Sequence, residues 1–350
     1  NQVYPGNNFD YHLIPFQAAI DNGMKVVMPY YGIPVGQTDE DVAMAFNKYI
    51  LTDLLRDQMN FEGVVCTDWG IIEGRHWGVG DLSISERYEK SINAGVDQYG
   101  GENKPEFVVE LVNEGKITEE RINTSVRRIL TNKFELGLFE NPFVDESLVM
   151  ELVNKKDYIE QGLDAQRKSI VLLSNKDNTL PLTNNLNIFV DGIDEDVASR
   201  FGNIVDNHEN ADYVILFLNT VFNGQQPSGI DRVLDNMLAT MFPNNDLDYN
   251  DEINAKIEKY SKESKLIIVS DLNRPAILTN ANEKSLGLIG TFGVEDKVIL
   301  ETIFGENNPT GKLPFEIPSS MEEVKEQFSD VADDTKNPIF KYGHGLSYPE

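Results

Sequence analysis

The stretch Phe61–Gly70, with the sequence FEGVVCTDWG, decides how the first half of the chain is built. Val64 and Val65 are β-branched and glycines stand near both ends, which is typical of a β-strand. The apolar residues are adjacent rather than alternating, and this favours a strand buried on both faces of a parallel sheet. The strand predicted at 63–67 therefore runs directly into the carboxylate of Asp68.

The position of Asp68 allows two interpretations. A carboxylate that follows a buried strand lies at its C-terminal tip, where α/β barrels place catalytic groups. The same residue could instead cap its loop or pair with an arginine in a purely structural α/β protein, and the local pattern does not decide between these roles. Asp97 lies inside a later strand, so it is predicted to be a structural partner of an arginine or a backbone group.

Strands and helices alternate on both sides of this stretch. The predicted strands are 24–28, 63–67 and 94–101, and the predicted helices are 9–22, one that opens at Asp39, 83–93, 105–114 and 118–138. Ser83 and Glu86 have the spacing of a capping box. The alternation predicts parallel strands with right-handed crossovers. A full (β/α)₈ barrel needs about 250 residues, so residues 1–140 are expected to form either a smaller open sheet or the back portion of a barrel.

A second α/β domain is predicted at 166–350, after a charged and weakly periodic linker at 141–165. The predicted strands are 169–173, 187–190, 213–219, 266–270 and 286–292, and the predicted helices are 195–202, 251–263 and 295–304. This order is typical of a sheet with helices on both faces. Residues 220–250 have no clear period, as in a functional or disordered loop, and residues 307–350 are expected to be mostly irregular.

Composition excludes several classes of protein. The 350 residues include 30 basic and 58 acidic side chains, for a net charge of −28, so nucleic acid and anionic lipid are excluded as main partners. No apolar run approaches the roughly 18 residues of a membrane span. Cys66 is the single cysteine, which excludes an intrachain disulfide, and four histidines without a cysteine cluster give no zinc pattern. No metal or other cofactor is predicted, and bacterial periplasm, medium and cytoplasm all fit.

Aromatic residues surround Asp68 in the sequence. Trp69 follows it directly, Trp77 lies in the next loop, and Tyr31 ends the preceding strand. Aromatic rings beside a carboxylate can bind the apolar faces of a sugar, although a core tryptophan is an equally good interpretation. Arg75 could keep the carboxylate ionised by charge pairing. An acid at a strand tip with aromatic neighbours and few cations fits hydrolysis of a glycosidic bond, which needs two carboxyl groups.

The segment Gly63–Trp69 resembles the nucleophile segment of glycoside hydrolase family 3, in which glycine, two hydrophobic residues, serine or threonine, and Asp-Trp carry the catalytic aspartate. The likeness extends over almost the whole chain. Further segments resemble the family in the same order: Val27–Tyr31, with Tyr30 where serine is usual, Arg167–Asn175, Leu180–Leu182, Asn308–Pro314 and Tyr342–Tyr348.

The resemblance implies a TIM-like (β/α)₈ barrel, of which residues 1–140 are the C-terminal portion, followed by an αβα sandwich. It also implies a retaining exo-acting β-glycosidase, most of all a β-glucosidase. Asp68 would attack the anomeric carbon and form a covalent glycosyl-enzyme. Tyr31 and Trp69 would line the sugar subsite, and Arg75 is a weaker match to an arginine of the family.

One departure from the family concerns the front of the barrel. The family's other sugar-binding groups, an aspartate, an arginine and a lysine-histidine pair, lie in a segment that has no counterpart here. Residue 1 is therefore expected to follow roughly the fifth strand, and either a second polypeptide or a missing N-terminal segment is expected to complete the barrel. The partners are then a β-linked glycoside and this completing polypeptide, with a homodimer left open.

A second departure concerns the proton donor. In many members it is a glutamate close before an Asp-Arg pair, but here residues 210–250 contain Asp231-Arg232 and no glutamate. The available acids are Asp231, Asp235, Asp246 and Asp248 in that loop, and Glu73 and Glu102 on barrel rim loops. The missing glutamate keeps open an alternative, a phosphorolytic or non-catalytic sugar-binding relative.

Overall fold

The computed structural model describes residues 1–153, 155–221 and 246–349. The chain divides into two compact units. Unit 1 consists of Asn1–Glu146 with Phe328–Val331, and unit 2 of Ser147–Gln327 with Ala332–Glu350. The domain limits and linker predicted from the sequence stay a prediction. In the described part of the chain, no helix is both long enough and apolar enough to cross a membrane.

Unit 1 contains a three-stranded parallel sheet in the order β1-β2-β3. Its elements are a 3₁₀-helix at Phe9–Leu13, α1 at Ile14–Asp21, β1 at Val26–Val27, a 3₁₀-helix at Met44–Phe46, a π-helix at Tyr49–Gln58, β2 at Val64–Trp69, α2 at Ile84–Ala94, β3 at Gln98–Gly100, α3 at Pro105–Asn113 and α4 at Glu119–Glu135. The predicted strand and helix alternation with parallel pairing is confirmed.

Helix α2 begins with the predicted capping box. The backbone N–H of Glu86 donates to the Ser83 hydroxyl at 3.3 Å, and the Ser83 N–H donates to the Glu86 carboxylate at 2.8 Å. Both groups are thereby satisfied at the helix start. Strand β2 is buried as expected, with Val65 fully inaccessible to solvent.

The helix predicted to open at Asp39 is wrong, because a regular helix begins only at Tyr49. The cause is Asn47, which is buried and uses its side chain locally. Its amide N–H₂ donates to the Thr38 hydroxyl at 2.8 Å, and its amide oxygen accepts from the Ile50 N–H at 3.1 Å. An asparagine that bonds nearby backbone in this way holds a loop in place before the helix starts.

Asp97 confirms the structural role predicted for it. Its carboxylate is fully buried and accepts five hydrogen bonds, from the Arg56, Arg121 and Arg128 guanidinium groups at 2.7, 3.4 and 3.0 Å, from the Ser125 hydroxyl at 2.6 Å and from the Val65 N–H at 3.0 Å. One side chain thereby ties the segment before β3 to β2, the π-helix and α4.

Unit 2 is built around a six-stranded sheet in the order β4-β9-β8-β7-β5-β6. Its main elements are α5 at Val149–Leu152, α6 at Lys156–Ser169, β4 at Val171–Asn175, β5 at Asn187–Asp191, α7 at Glu195–Ala198, β6 at Asn203–Ile204, β7 at Tyr213–Leu218, α8 at Asp251–Glu263, β8 at Leu266–Asp271, α9 at Thr279–Lys284, β9 at Gly287–Thr291, α10 at Asp296–Ile303, β10 at Ile317–Pro318, α11 at Met321–Glu326 and β11 at Pro338–Phe340. Neighbouring strands pair parallel except β4, which pairs antiparallel with β9.

Two hydrophobic clusters lie on the two faces of this sheet. Alternate strand residues enter different clusters, as Ile215 and Leu216 do in β7. Helices α7 and α10 pack in the first cluster, and α8 and α9 pack in the second. This is the predicted αβα sandwich, in which each strand is apolar on both faces because both are covered.

The tail after residue 307 is mostly irregular, as predicted, but specific contacts hold it in place. It contains the antiparallel pair β10-β11 and helix α11. Its last residues pack on β4, where the Leu346 N–H donates to the Leu172 carbonyl at 2.8 Å. Repeated apolar periodicity is absent from such a segment, so its order depends on contacts with residues far away in the sequence.

One short part of the tail, Phe328–Val331, belongs to unit 1. The Asp330 carboxylate accepts from the backbone N–H groups of Gly6 and Asn8 at 2.7 and 2.8 Å. The Asp330 carbonyl lies 2.9 Å from Nε2 of His12. A buried acid from the end of the chain therefore fixes the N-terminal segment.

Candidate active site

The candidate site lies at the carboxyl ends of the three parallel strands of unit 1. Asp68 is the last residue but one of β2, Tyr31 lies in the segment after β1, and Gly101 directly follows β3. Because the strands are parallel, these positions share one edge of the sheet. This is the edge at which α/β barrels carry catalytic groups.

The Asp68 side chain is half-buried and oriented by its own backbone. The Trp69 N–H donates to Oδ1 of Asp68 at 2.7 Å. The Tyr31 hydroxyl lies within reach of the same carboxylate. Burial, followed by the nearby Asp68 carboxylate and its negative charge, raises the pKa of Tyr31 despite the opposing charge of Arg75, so this tyrosine stays neutral.

Tyr31 connects the other predicted site residues. Its hydroxyl donates to the Trp69 carbonyl at 2.7 Å and accepts from an Arg75 N–H at 3.0 Å. Arg75 also donates to the Trp69 carbonyl at 3.1 Å, and its guanidinium lies 4.9 Å from the centre of the Tyr31 ring. The structure thus brings Asp68, Trp69, Tyr31 and Arg75 into one network.

The direct charge pairing expected between Arg75 and Asp68 is wrong. Among the ion pairs of the described residues, none joins these two side chains. The guanidinium instead lies over the Tyr31 ring and donates to the Tyr31 hydroxyl and the Trp69 carbonyl. The sequence could not show this, because the choice depends on how far the loop after β2 folds back towards β1.

Two exposed indoles flank the carboxylate. Trp69 is 68% exposed and Trp77 is 45% exposed, with the Trp77 ring centre 5.8 Å from that of Tyr31. Trp69 lies directly over Gly101, where an added Cβ would meet its ring at 2.2 Å. Gly101, which also has φ of +71°, was missed as a site residue. The Gly100-Gly101 pair at the strand end was the available signal.

The rim acids Glu73 and Glu102 are both engaged in local contacts. Glu73 forms an ion pair with Lys104. Glu102 accepts from the Ile72 N–H at 3.1 Å and so supports the loop after Asp68. Neither contact brings a second carboxyl group into the network around Asp68.

The acids predicted in the loop of unit 2 are only partly described. Asp231 and Asp235 lie outside the described residues. Asp246 and Asp248 are in unit 2, and Asp246 Oδ1 accepts from the Asp248 N–H at 3.0 Å. Burial, followed by the negative charges of Asp246 and Glu322, raises the pKa of Asp248.

In the described part of the chain, His208, Glu209 and Glu263 of unit 2 have ligand atoms within 4.8 Å of one another. Nε2 of His208 and the Glu263 carboxylate form a hydrogen bond of 2.5 Å. This hydrogen bond between a buried histidine and an exposed glutamate accounts for the cluster. It gives no support for a metal cofactor.

The fold and the site together define a class: mixed α/β proteins with an acid among aromatic rings at the carboxyl edge of a parallel sheet, as in barrel glycosidases. The model for the N-terminal domain of glycosyl hydrolase family 3 matches residues 6–132, and that for its C-terminal domain matches residues 190–348. The chain belongs to glycosyl hydrolase family 3.

Relatives of known name resemble the chain over its whole length. A protein of Aspergillus flavus named probable beta-glucosidase C is 41% identical, over 99% of this chain and 56% of its own. The periplasmic beta-glucosidase/beta-xylosidase of Dickeya chrysanthemi is 35% identical, over 98% of this chain and 55% of its own length. The solved structure of a beta-glucosidase from Listeria innocua superposes with a TM-score of 0.77 at 21% identity, over 97% of this chain and 54% of that one. The chain spans about half the length of the curated relatives it matches.

Proposed function

We propose that the chain carries the nucleophile of a retaining, exo-acting β-glycosidase of the β-glucosidase type. The observation that carries the proposal is the Asp68 carboxylate, held by the Trp69 N–H at the carboxyl edge of the sheet with Tyr31 and exposed indoles beside it. The relatives named beta-glucosidase, at 35–41% identity, support the same reaction. The substrate class is a glycoside with a terminal β-linked sugar.

The reaction proceeds in two displacements. Asp68 attacks the anomeric carbon, the bond to the leaving oxygen breaks, and an acid protonates that oxygen. The conjugate base of that acid then takes a proton from water, which attacks the same carbon and releases Asp68 as a carboxylate. Configuration at the anomeric carbon is inverted twice and therefore retained.

The surrounding side chains have distinct roles in this proposal. The Trp69 N–H fixes one carboxylate oxygen, so the Asp68 side chain is oriented before substrate arrives. Tyr31 is kept neutral beside the carboxylate, and Arg75 positions it by lying over its ring and donating to its hydroxyl. The exposed ring of Trp69 offers an apolar face to the sugar.

The proton donor is left unassigned in this proposal. The contacts of Glu73 with Lys104 and of Glu102 with the Ile72 N–H favour structural roles for both rim acids.

The proposal includes a further polypeptide, or an N-terminal segment of the same protein, that completes the sheet of unit 1 and corresponds to the half of the relatives that this chain does not match. Strand β1 is at the edge of the described sheet, where Val26 in the strand and Met28 directly after it are 50% and 55% exposed. A groove of about 990 Å³ opens next to this strand. Its lining is mainly apolar and includes Ile14, Phe16 and Met59. An open edge with apolar neighbours is a surface on which another strand pairs.

The nucleophile is tested in the completed enzyme, made by fusing this chain to the unmatched segment of the Aspergillus flavus relative. A 2-fluoro glycoside should label the peptide that contains Asp68, as read by mass spectrometry. Asp68→Asn should lower kcat by more than about 100-fold, whereas Asp81→Asn, an exposed matched control, should not. Activity of Asp68→Asn above about 1% of wild type would remove Asp68 as the nucleophile.

Completion of the sheet is tested separately by adding the unmatched segment as a free polypeptide. Size-exclusion chromatography should show a complex, and Val26→Lys with Met28→Lys should abolish it, while Lys104→Met should not. Complex formation without activity would count against the β-glucosidase assignment alone. The mass of the complex also tests the homodimer that the sequence leaves open.

The absence of glutamate from residues 210–250 favours one second candidate, a phosphorolytic or non-catalytic relative. Activity assays with and without phosphate separate both forms of this candidate from a hydrolase. A sugar phosphate as product identifies a phosphorylase, and sugar binding without turnover identifies a binding protein. Free sugar at the same rate in both buffers supports hydrolysis.

A further inference from the structure

Unit 2 has a small cavity of its own, of about 210 Å³. It lies at the carboxyl ends of the neighbouring parallel strands β5 and β7. Its lining includes one glycine and five polar or charged residues: Gly192, Asp191, Asn219, Thr220, Asn250 and Lys256. No residue of the Asp68 network takes part in it.

The sheet topology places this cavity at a switch point. From β5 the chain continues to β6 on one side of it, and β7, β8 and β9 then follow on the other side. Helix α7, after β5, contributes Ala198 to the cluster on one face, and helix α8, after β7, contributes Ile257 to the cluster on the opposite face. Helices that leave in opposite directions open a crevice outside the strand ends, where open α/β sheets bind ligands.

A glycine in the turn after β5 allows the ends of β5 and β7 to lie close together. Gly192 has φ of +87°, a conformation that favours glycine. A Cβ at this position would lie 3.0 Å from the carbonyl oxygen of Phe217 in β7. The two strand ends can approach this closely only because residue 192 has no side chain.

The crevice presents a fixed pair of opposite charges. The Lys256 ammonium lies 3.0 Å from the Asp191 carboxylate, which also accepts from the Tyr260 hydroxyl at 2.9 Å. The side chain of Asp191 is 23% exposed and that of Lys256 is 39% exposed. Both a hydrogen-bond acceptor and a donor are therefore held in place at the mouth of the cavity and remain accessible.

The charges around the crevice disfavour an anionic ligand. Helix α8 begins at the cavity, but its first turn carries Asp251 and Glu252. The Asn250 side chain already accepts from the Ile253 N–H at 3.0 Å. Acidic side chains offset the positive end of a helix dipole, so a neutral ligand fits this site better than a phosphate.

From topology, lining and charge, we propose that this crevice binds a neutral polyhydroxylated molecule no larger than one sugar ring. Hydroxyl groups both donate and accept, which matches the paired ammonium and carboxylate and the neighbouring amides. The cavity is smaller than the roughly 300–1,000 Å³ of pockets for drug-sized ligands, which sets the size limit.

The probe is D-glucose, titrated into the isotope-labelled 350-residue chain and followed by amide NMR. Affinity in the millimolar range is expected for so small a ligand. The amides of Gly192, Asn219 and Thr220 should shift in a saturable manner. Shifts confined to unit 1, or no saturable shift in unit 2, would overturn the proposal.

Variants locate the site and exclude a general loss of structure. Lys256→Met and, separately, Asn219→Ala should each weaken glucose binding at unit 2 at least about tenfold, and Lys262→Met, on the same helix, should leave it unchanged. Thermal unfolding of each variant checks the fold. Equal affinity in wild type and both crevice variants, or tighter binding of inorganic phosphate than of glucose, would refute the assignment.

Discussion

Replacing Asp97 by asparagine should lower the stability of unit 1 far more than any substitution at the surface. The substitution keeps the size of the side chain but removes the one negative charge that faces the three arginines at 2.7, 3.0 and 3.4 Å. Removal of one partner from a buried ion pair leaves the other charges uncompensated, at a cost of about 3–5 kcal/mol. Asp97→Asn should therefore lower the free energy of unfolding by that amount.

The same geometry predicts an unequal response from the partners. Arg128 is 26% exposed, so water partly solvates its charge, and Asp97 keeps two other arginines when Arg128 is replaced. Arg128→Met should cost about 1–2 kcal/mol. The loss in Asp97→Asn should therefore exceed the loss in Arg128→Met.

The assay is urea unfolding followed by tryptophan fluorescence. The chain has two tryptophans, Trp69 and Trp77, and both lie in unit 1, so the signal reports on that unit alone. With a slope of about 2 kcal/mol per M urea, Asp97→Asn should lower the midpoint by about 1.5–2.5 M. Asp57→Asn, at an exposed site on the π-helix that carries Arg56, is the matched control and should stay within about 0.5 kcal/mol.

Acid titration tests whether the charge itself is responsible. Burial alone would raise the pKa of Asp97, but hydrogen bonds from Ser125 and the Val65 N–H and the charges of Arg128 and Arg56 lower it. Its contribution is therefore complete above the unfolded pKa of about 3.9 and is lost as the pH falls through the lower folded value. The difference between wild type and Asp97→Asn should shrink only below pH of about 4. A loss under about 1 kcal/mol at neutral pH, or a difference unaffected by acid, would refute the argument.

Three further variants test single contacts. Gly101→Ala should displace the indole above it and change the fluorescence of the folded protein, whereas Gly115→Ala, with a similar φ of +73° and open space around it, should not; equal spectra would contradict the packing. Ser83→Ala removes the capping box and should cost about 1 kcal/mol in urea unfolding, and an unchanged midpoint would count against the cap. Asp330→Asn should accelerate amide hydrogen exchange in residues 6–12, and equal exchange there would show that the acid does not fix this segment.

Elements with a complete local signal could be predicted from the sequence. Helix α8 has an N-capping Asn250 and a regular apolar stripe, and its predicted limits, 251–263, are those observed. Strand β2 and the Asp68 tip follow from an uninterrupted apolar run. The aromatic and arginine neighbours of Asp68 were also predicted, since they are close to it along the chain or end the preceding strand.

What the sequence could not show depends on contacts between distant residues. The start of the helix at Tyr49 rather than Asp39 follows from the buried contacts of Asn47. The antiparallel direction of β4 depends on its pairing with β9, which has no local signature. The position of Trp69 over Gly101 and the partner of Arg75 likewise depend on how three separate segments meet.

The contacts of the C-terminal tail bear on how the chain matures during synthesis. Asp330 fixes residues 6–8 of unit 1, and Leu346 pairs with Leu172 in the first strand of unit 2. The partners of both early segments are synthesised much later, 324 residues after Gly6 and 174 residues after Leu172. Neither unit can reach its final form before these later residues have left the ribosome, and a nascent chain halted before about residue 325 should leave both units incomplete.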